Sequence, residues 1–201
     1  MDYTLEFIST AYPKTNKRRN FEMRKKAGNL LKKNGFSARD IPKVEDVEET
    51  QEDFRRLGLK NTSLFGDHFV IAQDSGGNII GAARFHCSSP ILFNAFDVGR
   101  LDVMQNHLSK ANLTQVFVER EKRGKGIGTQ LVEGALEEAT KLGFTQLYGY
   151  AENDSPRLVN FYKNLGFTIE AENQPTSIFG DIPGTVLNPR TGGVFFQRSL
   201  R

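Results

Sequence analysis

The sequence predicts an α/β fold in which one mixed, mostly antiparallel sheet is flanked by helices in a single domain. Short apolar runs typical of strands alternate with amphipathic helical segments along most of the chain. Two of those runs, His68–Gln73 and Ile79–Cys87, are separated by the turn-forming residues 74–78, which is typical of an antiparallel hairpin. A length of 201 residues suits one domain with a substantial core rather than two.

The remaining elements follow from apolar spacing and from the residues that begin and end helices. Before the hairpin, the alternation at Tyr3–Ile8 predicts a strand, and helical patterns cover Lys17–Lys33 and Val44–Leu57. Each of these helices ends close to a glycine, which stops helices readily. After the hairpin we expect strands at Leu113–Val118, Phe144–Tyr150, Phe167–Ala171 and Val194–Leu200, with helices at Ile127–Leu142 and Pro156–Leu165.

Two long segments fit none of these elements. Residues 88–112 are too long to be a simple hairpin connection, and residues 172–193 contain Pro175, Pro183 and Pro189. Loops of this length are uncommon in compact domains and often form lids or binding walls. We therefore expect 88–112 and 172–193 to be loop insertions that shape a binding pocket.

Composition indicates an ordinary globular protein, with 38% hydrophobic and 25% charged residues. No apolar run has the length of a membrane span, and the first residues lack the pattern of a secretory signal. The single cysteine, Cys87, excludes a disulfide within the chain and fits a reducing compartment. The sequence thus predicts a cytoplasmic protein without membrane contact.

The net charge of +3 hides two oppositely charged segments. Residues 14–33 hold nine lysines or arginines and one acid, whereas residues 45–53 hold six acids and no base. Two solvated helices explain this pattern, and a basic face for an acidic partner is the alternative. Only Phe21 and Phe36 lie among the basic residues, which argues against nucleic-acid binding by base stacking. Whether 14–33 binds anything stays open.

A basic, glycine-rich turn follows the predicted strand Leu113–Val118 and leads into a helix. Its alternating glycines let the backbone approach a bound group closely, because glycine adopts positive φ without strain. The free N–H groups of the first helical turn, with the basic side chains beside them, would favour a pyrophosphate. A plain surface turn is the alternative. The turn reads Arg123-Gly124-Lys125-Gly126-Ile127-Gly128, and Thr129 follows it.

Two familiar phosphate-binding patterns do not fit this turn. A Walker loop needs a glycine five residues before the Gly-Lys pair, where this chain has Glu119. A dinucleotide-binding fingerprint needs a third glycine three residues after the second, where this chain has Leu131. The pattern that fits is Arg-x-x-Gly-x-Gly.

That pattern resembles the acetyl-CoA signature of the GCN5-related N-acetyltransferase (GNAT) superfamily. A second segment downstream, from Tyr148 through Pro156 to the Tyr-x-x-x-Gly-Phe at Tyr162–Phe167, is similar to the next strand and helix of that family. Together the two motifs cover about residues 113–170. The resemblance implies one GNAT-like domain over residues 1–201, with splayed central strands that leave a wedge for acetyl-CoA as cosubstrate.

The resemblance also implies roles for individual residues. Backbone groups around Phe117 and Val118 would pair with the pantetheine arm, and the Val118 N–H would face the thioester oxygen. Tyr162 would donate a proton to the departing thiolate, although spacing alone equally fits a core aromatic. The expected acetyl-CoA-binding residues are Phe117, Val118, Arg123, Gly124, Lys125, Gly126, Ile127, Gly128, Thr129, Asn153, Ser155 and Tyr162.

A base for the acceptor amine is less well defined by the sequence. Glu119 directly follows the predicted strand and ranks first, ahead of Tyr150, Glu152 and a water chain. The three histidines lack metal-ligand spacing with one another or with Cys87, so no metal is expected. His86 and Cys87 are adjacent on a strand and point to opposite faces, which favours direct attack on the thioester over a cysteine nucleophile.

The expected function is transfer of acetyl from acetyl-CoA to the primary amine of a small molecule. The long insertions favour an enclosed acceptor site, since an open groove suits peptides better. A protein or peptide N-acetyltransferase, a non-catalytic acetyl-CoA sensor and an enzyme that acetylates aminoacyl-tRNA are the alternatives. The sequence does not name the acceptor or the acyl chain, and it leaves a homodimer open.

Overall fold

The alternation of strands and helices expected from the sequence is present in the structure. A computed structural model describes residues 2–9, 17–33, 44–152, 156–171 and 193–200. Within them the strands are β1 (Tyr3–Ser9), β2 (Asp67–Asp74), β3 (Ile79–His86), β4 (Lys110–Val118), β5 (Gln146–Glu152), β6 (Thr168–Ile169) and β7 (Gly193–Ser199). The helices are α1 (Lys17–Lys33), α2 (Val44–Arg56), α3 (Ser89–Asp97), α4 (Leu101–Leu108), α5 (Ile127–Leu142) and α6 (Pro156–Asn164).

The strands of the described residues form one sheet in the order β1-β2-β3-β4-β5-β7-β6. Neighbours pair antiparallel except β4 and β5, which pair parallel. The predicted mixed, mostly antiparallel sheet is therefore confirmed. The β2–β3 turn owes its shape to Asp74, whose Oδ1 accepts hydrogen bonds from the amides of Gly76 and Asn78, at 2.9 Å each.

Helices cover both faces of the sheet, and the alternation along β2 shows how. Phe69 and Ile71 are buried in a cluster with the apolar side of α1. Val70 and Ala72 point the other way and join the main core, which contains the apolar face of α5. The period of two along a strand thus places successive residues in different cores.

The segment 88–112 differs from its predicted form as a loop. It folds into α3 and α4, which contact each other, and then enters β4 at Lys110. Ser88 lies at the α3 N-cap and Pro90 lies in its first turn, both of which favour helix initiation. Short helices of about two turns give weak periodic signals, which is why the spacing did not reveal them. Residues 172–192 of the second predicted insertion lie outside the described residues.

A neutral histidine is built into the core between β1 and β2. Ser9 Oγ lies 2.9 Å from His68 Nδ1, and His68 Nε2 lies 3.3 Å from the Leu64 carbonyl, so Nε2 donates to the carbonyl and Nδ1 accepts from the hydroxyl. The ring stacks on Phe85 at 5.0 Å. Because complete burial disfavours the charged ring, the pKa of His68 falls from 6.5 to about 4.

This burial predicts a loss of stability in acid. Between pH 6.5 and about 4, His68 is protonated in the unfolded chain and neutral in the folded chain. The unfolding free energy therefore falls as pH falls. The contribution is about 3 kcal/mol over the whole window, and it is fully present above pH 6.5. We expect His68→Gln to flatten the curve of unfolding free energy against pH, measured by urea denaturation between pH 7 and 5. An unchanged slope would contradict the assignment.

Candidate active site

The parallel strands β4 and β5 separate shortly after they meet. They pair only from Lys110–Asn112 to Gln146–Tyr148, after which the β5 side of β4 has no strand partner among the described residues. On its other side β4 continues along β3 with a bulge, because Arg84 lies opposite Gln115 while Phe85 lies opposite Leu113. Thr114 is the extra residue. The splayed strands expected from the sequence are present, and they open a wedge-shaped cleft.

The backbone of β4 presents hydrogen-bonding groups to this cleft. The Glu119 N–H donates to the Ile80 carbonyl of β3 at 2.9 Å, which makes Val118 and Gly81 a non-hydrogen-bonded pair. The N–H and C=O of Val118 therefore point away from β3 and into the cleft. Val116 lies two residues back in the same register, so its backbone groups point the same way.

The N-terminus of α5 closes one end of the cleft. Gly124 and Gly126 have φ values of 74° and 78°, a left-handed conformation that other residues adopt only under strain. Gly126 is the N-cap of α5, and no side chain caps the helix within the part of the chain that the structure describes. The first-turn amides are thus left for a ligand, with the positive end of the helix dipole behind them.

The cleft has a volume of about 670 Å³. Of the residues expected to bind acetyl-CoA, its walls include Phe117, Val118, Arg123, Gly124, Gly126, Ile127, Gly128, Thr129 and Tyr162. Asn153 and Ser155 lie outside the described residues. The other lining residues are Leu113, Thr114, Gln115, Val116, Lys122, Tyr150, Leu158 and Phe161.

The basic side chains of the turn divide into two groups. Lys122 and Arg123 line the cleft, and Arg123 is held there by a 2.9 Å hydrogen bond from Nε to the Val118 carbonyl. Its guanidinium also lies 5.8 Å from the centre of the Phe117 ring. Lys125 is not among the residues that line the cleft, and its Nζ donates to the Glu121 carbonyl at 3.4 Å. Lys122 thus occupies the place in the cleft that the sequence suggested for Lys125.

Tyr162 combines a buried ring with a place on the cleft wall. It lies on α6 and stacks face to face on Phe196, with ring centroids 3.7 Å apart. Phe161 and Phe167 pack against it edge to face. Burial raises the pKa of the phenol above its ordinary value, so the hydroxyl stays protonated across neutral pH.

A second cavity, of about 610 Å³, meets the cleft at Thr114 and Gln115, which line both. The cleft and the second cavity therefore adjoin at the bulge in β4. The further lining residues of the second cavity are Asp46, Thr50, Phe65, Gly66, Asp67, Arg84, His86, Cys87, Ser89, Pro90 and Phe93.

A buried ion pair forms part of the wall of this second cavity. Arg84 Nε donates to Asp67 Oδ1 at 2.6 Å, and both side chains are 5% exposed or less. Arg24 of α1 is buried nearby, and its pKa is lowered by desolvation while the Asp67 and Glu45 carboxylates oppose the shift. Charges buried in this way are kept only when they are paired.

Comparison with known proteins identifies the family to which these features belong. A sequence profile described as "Acetyltransferase (GNAT) family" matches residues 36–167, about two thirds of the chain. The chain belongs to the GNAT acetyltransferase family. The resemblance noted in the sequence is thereby confirmed.

Individual relatives are more distant. The chain is 35% identical to an uncharacterized N-acetyltransferase of Methanocaldococcus jannaschii over 80 residues, which cover 39% of this chain and 34% of that protein. It is 25% identical to the L-methionine sulfoximine/L-methionine sulfone acetyltransferase of Pseudomonas aeruginosa over 107 residues, covering 53% of this chain and 54% of the relative. The chain thus spans about half, or less, of the length of these curated relatives.

Solved structures share the fold across the chain. The phosphinothricin acetyltransferase of the GNAT superfamily from Sinorhizobium meliloti, solved in complex with AcCoA, superimposes with a TM-score of 0.51. The match covers 100% of this chain and 89% of that chain at 18% identity. At this identity the likeness establishes the GNAT fold alone.

The residues that are candidates for the base differ in whether they line the cavities. Tyr150 lines the cleft, and its ring packs edge to face on Phe195. Glu119 directly follows β4 and is half-buried, yet it lines neither of the two cavities. The side chain of Glu152 lies outside the described residues.

Sequence reasoning missed most of the second cavity. Asp67 and Arg84 lie on neighbouring strands 17 residues apart in sequence, and Asp46 comes from a helix whose acids looked uniformly solvated. A charged residue inside an apolar strand, such as Arg84 in Ile79–His86, was the available signal. Its partner could be identified only from the strand register.

In the described ranges no three His, Cys, Asp or Glu side chains cluster closely enough to hold a metal ion. Likewise, none of the helices that the structure describes is long and apolar enough to span a bilayer.

Proposed function

We propose that this GNAT protein transfers an acetyl group from acetyl-CoA to the primary amine of a small molecule. The observation that carries the proposal is the junction at Thr114 and Gln115, where a cleft with an uncapped helix N-terminus meets a second, partly enclosed cavity. A transferase needs two such compartments, one for the donor and one for the acceptor, that adjoin where the reacting atoms meet.

The first cleft fits acetyl-CoA, which supplies an acetyl group activated as a thioester. The left-handed glycines put no side chain beside the α5 amides, so a pyrophosphate can approach them. Lys122 and Arg123 add positive charge at the same end. The outward-facing backbone of Val116 and Val118 can pair with the amides of the pantetheine arm, and the Val118 N–H can stabilise an oxyanion.

Direct attack by the acceptor amine is favoured because the cavities offer no activated cysteine nucleophile. Cys87 lines the acceptor cavity, but its thiol lies 3.5 Å from the carbonyls of Leu64 and Leu108 and is 1% exposed. Burial raises the pKa of this thiol far above its ordinary value, so it stays neutral. In the direct reaction a nitrogen–carbon bond forms at the acetyl carbonyl as its carbon–sulfur bond breaks.

Two protons must move in that reaction. The departing thiolate takes one from Tyr162 Oη, a phenol kept protonated by its burial. The Tyr162 phenolate then regains a proton from solvent. The attacking nitrogen, which must first become a neutral amine, loses the other proton to water in the acceptor cavity. Because Glu119 lies outside both cavities, its proposed role as base is to receive that proton through water.

The size and shape of the second cavity support a small acceptor. A volume of about 610 Å³ is typical of ligand pockets and too small for more than the end of a peptide chain. The name of the Pseudomonas relative also refers to a small acceptor, L-methionine sulfoximine or its sulfone analogue. A protein N-terminus or lysine and a sensor without turnover are the competing functions.

An acceptor screen tests the proposal. Purified protein and acetyl-CoA are incubated with a panel of small amines, peptides and a lysine-rich protein, and free CoA thiol is measured. Thiol release with a small amine is the expected result. Release only with peptides or proteins would indicate the protein-modifying alternative, and tight acetyl-CoA binding by calorimetry without any turnover would indicate a sensor.

A matched pair of glycines at the two ends of α5 tests the donor site. Gly126→Ala should raise the dissociation constant for acetyl-CoA about tenfold, because a left-handed alanine costs roughly 1–2 kcal/mol and shifts the amides of the first turn. Gly143 at the other end of α5 also has a positive φ, 97°, and open space where a Cβ would lie. Gly143→Ala should therefore cost similar stability and leave acetyl-CoA affinity unchanged, as measured by calorimetry. Equal loss of affinity in both variants would argue against this placement of the pyrophosphate.

A further inference from the structure

The acceptor cavity has a rigid aromatic side. Phe65 and Phe93 meet edge to face with ring centroids 6.4 Å apart. Phe54 also packs edge to face on Phe65, with ring centroids 5.2 Å apart. Phe54 and Phe65 are buried, so these rings are fixed before any ligand binds. Pro90, in the first turn of α3, also lines this cavity. Such a wall suits an apolar group and offers it no hydrogen bonds.

The charges of the cavity do not suit a carboxylate. Arg84 is the cation among the described lining residues, and its guanidinium is joined to the Asp67 carboxylate at 2.6 Å. The other charged lining side chain is Asp46, an exposed carboxylate on α2. Arg24 is buried beside the Arg84–Asp67 pair, and its charge is opposed by Glu45 of α2. The described charges in and around the cavity therefore sum to a small negative charge, which attracts an ammonium group and repels a carboxylate.

We propose that the acceptor is a small primary amine on an apolar body, aryl or alkyl, that bears no carboxylate. Its body packs against Phe65, Pro90 and Phe93, and its nitrogen lies at Thr114 and Gln115, where the cavity meets the donor cleft. This inference rests on the proposed acetyl transfer and names the acceptor class for that site.

The apolar wall continues onto the surface and gives the body room to extend. Phe93 lines the cavity and is nevertheless 45% exposed. Phe96, three residues further along α3 and so on a neighbouring part of the helix surface, is 50% exposed. A longer acceptor can therefore extend out of the cavity past Phe93 while it is bound and still cover apolar surface.

Two series of amines test the proposal on the wild-type protein, with kcat/KM measured from thiol release. From propylamine to hexylamine we expect kcat/KM to rise about fourfold for each added methylene, the equivalent of about 0.8 kcal/mol. 2-Phenylethylamine should exceed phenylalanine, which adds only the carboxylate, by at least tenfold, since that carboxylate would be buried without a cation. A flat alkyl series, or amino acids, polyamines or peptides that match the apolar amines, would overturn the proposal.

A pair of variants tests whether Phe93 in the cavity wall determines the preference for apolar amines. Phe93→Ser should flatten the alkyl series and lower kcat/KM for 2-phenylethylamine about tenfold, with little change in acetyl-CoA affinity. Leu5→Ser, an exposed apolar residue of β1 that lines neither cavity, is the matched control and should leave both unchanged. An unaltered alkyl series in Phe93→Ser would overturn the placement.

If no amine at all releases thiol, the proposed acetyl transfer itself fails, whereas turnover without preference for apolar amines refutes only the acceptor class.

Discussion

Replacing Tyr162 with phenylalanine should lower kcat roughly a hundredfold and leave the acetyl-CoA dissociation constant nearly unchanged. The ring is retained, so the 3.7 Å stack on Phe196 and the packing of α6 persist. What is removed is the protonated hydroxyl of a residue that lines the cleft. Without it the thiolate must leave with only water to neutralise it, which raises the barrier of the chemical step but not the energy of the bound donor.

Tyr150→Phe is the comparison for this experiment. It also removes a phenol hydroxyl from the wall of the same cleft, but from β5 rather than α6. Single-turnover rates and calorimetric affinities would be measured for both variants. A loss confined to Tyr150→Phe would move the proton-donor role to that residue. An unchanged kcat in Tyr162→Phe would leave Tyr162 as a core aromatic, the alternative that its spacing in the sequence allowed.

Removal of the Arg84 guanidinium should produce the largest loss of stability. Arg84→Met leaves the Asp67 carboxylate buried without its 2.6 Å partner, and breaking a buried pair in this way costs about 3–5 kcal/mol. Urea unfolding at pH 7 measures the loss directly. The double variant Asp67→Asn, Arg84→Met should recover part of it, because the buried carboxylate is removed together with its guanidinium partner. The recovery is only partial because Arg24 loses the attraction of the Asp67 carboxylate and keeps that of Glu45.

An exposed ion pair of similar length provides the control. Arg100 and Asp102 lie 2.7 Å apart, but their side chains are 40% and 64% exposed. Arg100→Met should therefore cost less than about 1 kcal/mol. If Arg84→Met costs no more than Arg100→Met, or if the double variant is as unstable as the single, burial does not determine the strength of the Arg84–Asp67 pair.

Local features of the sequence were enough to predict the glycine turn and the start of the helix that follows it. The turn at Gly124 and Gly126 has the left-handed conformations that glycine permits, and α5 begins directly after it as the apolar spacing indicated. Tyr162 lies on the cleft wall as the second motif implied. Each of these features depends on residues a few positions apart, and the physical chemistry of turns and helix ends acts over that range.

The same local reasoning was less successful at predicting which side chains line the cavities and which short segments are helical, because neighbouring side chains decide both. Lys125 and Lys122 lie close together in the sequence, but of the two only Lys122 lines the cleft. Glu119 follows β4 directly, yet it lines neither cavity. The short helices α3 and α4 are stabilised by packing rather than by strong periodicity, so their segment looked like a loop.

The sequence by itself therefore determined the fold class and the family of this protein and predicted its glycine turn, because strand alternation, helix spacing and glycine turns are encoded in adjacent residues. Tertiary structure alone assembled the second cavity. Asp46, Phe65, Arg84 and Phe93 come from α2, the α2–β2 connection, β3 and α3, and they meet only through strand register and helix packing. A cavity assembled from distant segments leaves only scattered signals in the sequence, such as a charge inside an apolar strand, since its shape and charge arise from contacts that form on folding.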